Sequence, residues 1–271
     1  MKNIFLILSL ILLVFISGCT STTTQGLTLS LTPDPQTIFS GNSMLLHIDM
    51  SNDDVKTLEK VNVDVFDTGI LKGNRCAYAY EKILPGQFET FACEFYSDAI
   101  KQERLSTEIN AKVSFKTTLS AVQILQLMSE REYQNSVSAG TFKQYPSSYT
   151  YRDKYVQMDV EFSEPLPIIF RDGQRYFVYF TIKNVGNGFI EFIHNEDFFI
   201  DQNGYLLNCS GKNEQRVYPT SYILESFDKF PRLACEILIP NDIEYMANYD
   251  MAINLDYYYE IRDKTTVNIV R

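Results

Sequence analysis

The chain has 271 residues, 45% of them apolar and 21% charged, which is ample material for a buried core and argues against wholesale disorder. Lys and Arg number 24 against 34 Asp and Glu, and the resulting net charge of -10 argues against nucleic-acid binding and against adsorption to anionic lipid through basic patches. The only two histidines, His47 and His194, leave almost no room for catalytic or zinc chemistry built on several imidazoles, and the length predicts about two domains.

The first element is an apolar run from Ile4 to Ile16, preceded by Lys2 and interrupted only by Ser9. A membrane-spanning helix needs about 20 apolar residues and a secretory signal core about 7–15, so the run reads as a signal. It ends at Ile16-Ser17-Gly18-Cys19. These four residues resemble the lipobox of prokaryotic lipoproteins. The resemblance implies a signal peptide over residues 1–18, cleavage before Cys19 and a diacylglycerol on its thiol. Two acyl chains give a stable attachment where one gives only a reversible one. The competing reading is an uncleaved anchor that contains a Cys, and the shortness of the run weighs against it. Residues 19–26, rich in Thr and uncharged, form a tether. The expected location is therefore outside the cell membrane, extracellular or periplasmic, with the membrane as partner through the lipid on Cys19.

Two stretches of the remaining chain share an ordered set of landmarks. Pro33, Pro35 and Gly41 correspond to Pro165, Pro167 and Gly173 at an offset of 132. Cys76 corresponds to Cys209 (offset 133), Cys93-Glu94-Phe95 to Cys235-Glu236-Ile237 (offset 142), and Lys116-Thr117-Thr118 to Lys264-Thr265-Thr266 (offset 148). A constant offset followed by steps is the mark of a duplicated unit with loop insertions, the first of them within Ser210 to Phe230. With Cys19 assigned to lipid, four cysteines remain, and an even number in an exported chain points to disulfides. The repeat selects Cys76–Cys93 and Cys209–Cys235 over the other connectivities. Four free thiols belong to a reducing compartment, and zinc is disfavoured because no two cysteines are close in sequence.

Within each copy the apolar period is two. Val61-Asn62-Val63-Asp64-Val65 alternates, Tyr176 to Ile182 and Asp256 to Ile261 are rich in β-branched and aromatic residues, and Leu84-Pro85-Gly86-Gln87 and Asn184 to Gly188 are turn signals. The pattern predicts an all-β protein of two tandem immunoglobulin-like antiparallel sandwiches, over residues 27–127 and 155–271. A two-residue turn at Pro85-Gly86 would leave Cys76 and Cys93 on a diagonal about 7–8 Å apart at Cα, too far for a bond. Placement in opposite sheets is the favoured reading, and a longer loop stays open. Residues 128–154 read as a linker. Ala121 to Leu127 extends the last strand of the first unit or, with Met128 and Arg131, begins a short helix running to Tyr133. Tyr145, Tyr149, Tyr151 and Tyr155 are expected where the units meet.

The early Pro, the Gly before a strand, the Asn-rich turn and Leu84-Pro85-Gly86 before Phe91-Ala92-Cys93 together resemble CARDB-like and archaeal S-layer-associated immunoglobulin-like domains. The resemblance implies a non-catalytic extracellular sandwich found in surface proteins; the cysteine pair departs from that pattern.

Four features could carry chemistry. Asp49, Asn52, Asp53 and Asp54, like Asp197, Asp201 and Asn203, offer oxygen ligands of the kind calcium takes, but in no EF-hand order, so a solvated turn is the expectation and no metal is assigned. Asn208-Cys209-Ser210 is a glycosylation sequon, which makes Asn208 a candidate modification site. Tyr257-Tyr258-Tyr259 could stack on sugars, but on a strand alternate members face the core and the others solvent, so a core role is the expectation. No nucleophile–His–acid set and no cofactor motif is present. The expected function is a non-enzymatic structural or interaction lipoprotein of a cell envelope, with other envelope proteins as partners. A carbohydrate-binding lipoprotein is the alternative, and a carboxylate-based hydrolase a remote one.

Overall fold

The computed structural model describes residues 26–192, 198–202, 207–209, 232–241 and 243–271. The leader 1–18, Cys19 and the tether up to Gln25 lie outside them, as do His194, Asp197, Asn203 and the insertion Ser210 to Phe230.

The chain is all-β. The described strands are β1 (Leu27–Asp34), β2 (Thr37–Phe39), β3 (Ser43–Asn52), β4 (Leu58–Asp67), β5 (Lys72–Gly73), β6 (Ala77–Ile83), β7 (Phe88–Tyr96), β8 (Arg104–Ser129), β9 (Ser148–Arg152), β10 (Val156–Phe162), β11 (Ile168–Phe170), β12 (Tyr176–Asn184), β13 (Phe189–Phe192), β14 (Phe198–Gln202), β15 (Leu207–Cys209), β16 (Leu233–Ile237) and β17 (Met246–Val270). Among the described residues one helix, α1 (Glu130–Ser138), follows β8. They form a four-stranded sheet in the order β1-β3-β7-β5, a five-stranded sheet β15-β16-β12-β10-β9, and a central sheet β13-β17-β8-β4-β6 onto which β2, β11 and β14 also pair.

Two strands dominate. β8 and β17 run antiparallel in one unbroken register from Arg104↔Val270 to Met128↔Met246. At about 3.3 Å per residue this ladder is roughly 80 Å long. Odd-numbered residues of both strands form its inner face: Ile109, Val113, Phe115, Leu125 and Leu127 on β8, and Ile253, Leu255, Tyr257, Tyr259 and Ile269 on β17 are all buried. Even-numbered residues carry polar pairs, with Ser106 bonded to Asn268, Lys264 to Glu108, Thr118 to Asp256 and Ser120 to Asn254. The four- and five-stranded sheets cover the two ends of the apolar face, and their inner residues join one continuous core with it.

The two copies thus share a sheet, and their counterpart strands pair alike: β1 with β3 and β10 with β12, β3 with β7 and β12 with β16, β4 with β8 and β13 with β17. Gly41 and Gly173 both hold positive φ, 87° and 74°, a conformation that favours glycine. The short strands are exchanged. β2 of the first copy pairs in parallel with the end of β17, and β11 of the second pairs in parallel with the end of β8. Val113 faces Ile261 in the ladder. These two are counterparts under the 148-residue offset, so an approximate two-fold axis passes between them.

The disulfides differ between copies. Cys76 lies just before β6 in the central sheet and Cys93 on β7 in the four-stranded sheet, so this bridge joins opposite sheets with a Cα separation of 5.9 Å. Cys209 and Cys235 face each other on neighbouring strands of one sheet, 3.8 Å apart at Cα. The same landmark therefore serves as an inter-sheet tie in one copy and a cross-strand tie in the other.

The stretch 128–154, expected as a linker, contains α1 and the edge strand β9. Ser148–Arg152 reads as polar because only one of its faces meets the core, where Tyr149 and Tyr151 pack. Ile124 and Met128 are strand rather than helix, since each is held opposite β17, at Asp250 and Met246. The helix starts at Glu130, with the Ser129 side chain accepting the Glu132 N–H as an N-cap.

Candidate functional site

The most elaborate polar arrangement lies at the waist, where both copies and the first described residues converge. Asp153, in the turn between β9 and β10, has a side chain only 8% exposed. Its Oδ1 accepts the N–H groups of Tyr155 and Val156, both at 2.9 Å, an Asx turn that its sequence position makes natural. Its Oδ2 accepts the Tyr257 hydroxyl at 2.7 Å and the Lys56 ammonium at 3.0 Å. Lys56 also donates to the Thr118 carbonyl at 2.7 Å. One carboxylate thereby ties the loop after β3, the β9–β10 turn and β17.

Beside it, the rings of Phe115, Tyr155 and Tyr259 pack together, with centroids 4.8–5.9 Å apart. The Tyr155 hydroxyl accepts the Leu27 N–H at 2.6 Å. The Tyr259 hydroxyl accepts the Gly188 N–H at 2.7 Å and donates to Asn184 Oδ1 at 3.1 Å, which closes the Asn-rich turn onto β17. Gly188 is required by this approach, because a Cβ there would strike the Glu260 carbonyl. Burial raises the pKa values of the Tyr155, Tyr257 and Tyr259 hydroxyl groups. Tyr259 is pushed up to about 12, Tyr155 lies higher, and Tyr257 is raised well above the ordinary value, with Asp153 adding to the effect of burial.

A cleft of about 710 Å³ opens next to this cluster, lined by Gly26, Arg152, Asp153, Lys154, Val185 and Arg262 among others. Its cations are largely engaged. Lys154 donates to the Asp53 carbonyl at 2.8 Å and lies 3.9 Å from Asp54. Arg262 donates to Glu260 at 2.6 Å, and Glu260 also accepts from Lys112 at 2.9 Å.

The oxygen cluster read from the sequence does not converge. Asn52 is fully buried and uses its side chain on the Lys56 and Ile83 carbonyls and the Asp54 N–H. Asp53 accepts from Ser51, and Asp49 sits on the outer face of β3. Asp54 is buried, and no hydrogen-bond partner meets its Oδ2 among the described residues. No group of three or more His, Cys, Asp or Glu is placed to hold a metal ion among the described residues. Asp201 lies on β14. His47 lies on the outer face of β3 between Thr32 and Ala92.

Tyr257 and Tyr259 are fully buried, while Tyr258 points outward and accepts from Lys60 at 3.1 Å. Asn208 is exposed on β15, the outer strand of its sheet. On the outer face of that sheet Phe177 and Tyr179 stack at 6.1 Å, but Arg232 covers the Tyr179 ring at 3.8 Å and Arg175 approaches Phe177 at 5.7 Å while bonding Glu236 through two nitrogens. The rings are capped rather than open as a platform for a sugar. Asp153, Lys56 and Asn184 carry no sequence signal of their joint role, because they are brought together over separations of 97 to 104 residues or through a turn.

No family model matches the chain, and no curated protein gives a significant match to it. No helix among the described residues is long and apolar enough to cross a membrane.

Proposed function

We propose that the chain is a lipid-anchored, surface-exposed structural or protein-interaction module of a prokaryotic cell envelope, non-catalytic, built from a duplicated immunoglobulin-like unit and carried by a diacylglycerol on Cys19. The non-catalytic reading draws on Asp153, a buried carboxylate of the waist whose two oxygens are both committed to ties between strands. The anchor reading rests on the leader and Cys19, and the position of Gly26 agrees with it. The described body begins at the waist, wedged against Tyr155, and the seven residue-to-residue steps from Cys19 to Gly26 reach at most about 25 Å. The body of such a protein stands close to the membrane surface. Other envelope proteins are its partners, and the exposed Asn208 is its candidate glycan site.

Mass spectrometry of protein extracted from membranes tests the anchor: a lipid-modified Cys19 at the N-terminus is expected, and residues 1–18 still attached would refute it. Capture of the intact protein from its own envelope should recover envelope proteins. Turnover of a glycan or peptide, lost on changing one pair of acids, would instead establish a carboxylate-based hydrolase.

A further inference from the structure

Apolar side chains gather where the described chain begins. Asn52 ends β3 and is fully buried. Its N–H donates to the Gln87 carbonyl at 3.0 Å, and its carbonyl accepts the Gly86 N–H at 2.7 Å. Its side-chain amide donates to the carbonyls of Lys56 at 2.9 Å and Ile83 at 3.2 Å. One residue thus clamps the turn after β3 to the turn between β6 and β7. The chain neighbours of these partners are exposed. Val55 precedes Lys56 and is 86% exposed, Leu84 follows Ile83 at 47%, and Phe88 follows Gln87 at 58%. Apolar side chains scattered singly over a surface are ordinary, but three held around one clamp form a patch, and patches mark contact surfaces.

Gly26 belongs to the same place. Its carbonyl accepts the Asp53 N–H at 3.1 Å, two residues before Val55, and Leu27 pairs with Asn52. The chain that comes from Cys19 therefore enters the body beside these three side chains, within about 25 Å of the anchored residue. Lys56 is committed to Asp153 and the Thr118 carbonyl, and Lys154 to the Asp53 carbonyl. With a net charge of -10 on the chain, a contact here with lipid is apolar rather than electrostatic.

We propose that Val55, Leu84 and Phe88 insert into the bilayer that holds Cys19, as a second and non-covalent foothold. The inference rests on the anchored reading above and adds to it which side of the body meets the membrane. The short tether fixes the occupant: the surface beside Gly26 is the part of the body that the anchor holds nearest to lipid. The covalent lipid supplies the attachment, and the three side chains set the orientation of the body on it.

The chain contains no tryptophan, so one introduced at a time reports its own surroundings. The test reconstitutes the full chain, extracted with its anchor, into phosphatidylcholine vesicles with and without bromine on the acyl chains, bromine being a contact quencher. Val55→Trp, Leu84→Trp and Phe88→Trp should each lose about half or more of their emission to bromine, since interfacial apolar side chains reach about 5–10 Å into the boundary of headgroups and acyl chains. Phe39 is also exposed but pairs with Val270 at the end of the long ladder, and Phe39→Trp should keep its emission. Flotation with the vesicles reads the anchor separately. Protein that floats with any of the three unquenched, or with Phe39→Trp quenched equally, overturns the foothold and leaves the anchor standing. Protein that does not float removes the anchor and the foothold with it.

Discussion

Asp153 accepts from Lys56, Tyr257 and two backbone N–H groups, and it does so almost wholly out of water. Removing one member of a buried hydrogen-bonded ion pair leaves the rest uncompensated, so Asp153→Ala is expected to lower stability by roughly 3–5 kcal/mol in urea unfolding. A loss under about 1 kcal/mol would mean that water substitutes freely at this site. The waist tyrosines give a second residue-level expectation. Their hydroxyl groups ionise near 10 in the unfolded chain, whereas Tyr259 is raised to about 12 in the folded protein and Tyr155 and Tyr257 are raised as well. A raised folded value favours the neutral form, so this stability is fully present below pH 10 and is lost as pH climbs through 12. Denaturation midpoints at pH 9 and 11.5 should show the fall, and Tyr259→Phe should make it shallower.

At the scale of elements, the ladder of β8 and β17 is held by its inner face as much as by its hydrogen bonds. Leu125 is fully buried on β8, beyond the reach of β4 and next to the short pairing with β11. Leu125→Ala should cost about 2–5 kcal/mol in the same unfolding experiment, the cost of lost transfer energy plus a cavity. The two disulfides act on different elements although they occupy matching places in the repeat. Non-reducing peptide mapping is expected to return Cys76 with Cys93 and Cys209 with Cys235. Replacing the inter-sheet pair by serines should cost roughly 3 kcal/mol, by releasing the unfolded chain.

For the whole molecule, the exchange of short strands and the shared ladder make the two copies one folding unit. β2 rests on the last residues of the chain, and β11 on the end of the first copy. Calorimetry should therefore show a single transition whose van't Hoff and calorimetric enthalpies agree. A fragment spanning residues 27–127 should fail to fold, because its β8 would expose the whole edge that β17 covers. Two separate transitions, or a folded fragment with native disulfide geometry, would return the molecule to a pair of independent sandwiches.

What the sequence determined by itself is what short-range pattern encodes. Period-two stretches such as Val61 to Val65 and the turn residues around Pro85 and Asn184 marked an all-β chain, because alternation and turn chemistry are local. The repeat of Pro, Gly and Cys identified the cysteine partners without any geometry. Strand alternation required Tyr257-Tyr258-Tyr259 to divide between core and solvent, and the structure decided that Tyr257 and Tyr259 are the buried ones. Only the tertiary structure decided that Ser120 to Ser129 continues a strand begun at Arg104, since its partner lies more than a hundred residues away on β17. The same is true of β9, whose polar face hides a strand from pattern reading, and of Asp153, which gains its role from Lys56 and Tyr257. Pairing register and buried charge are set by contacts between distant segments, and a one-dimensional pattern carries no record of which distant segment a residue will meet.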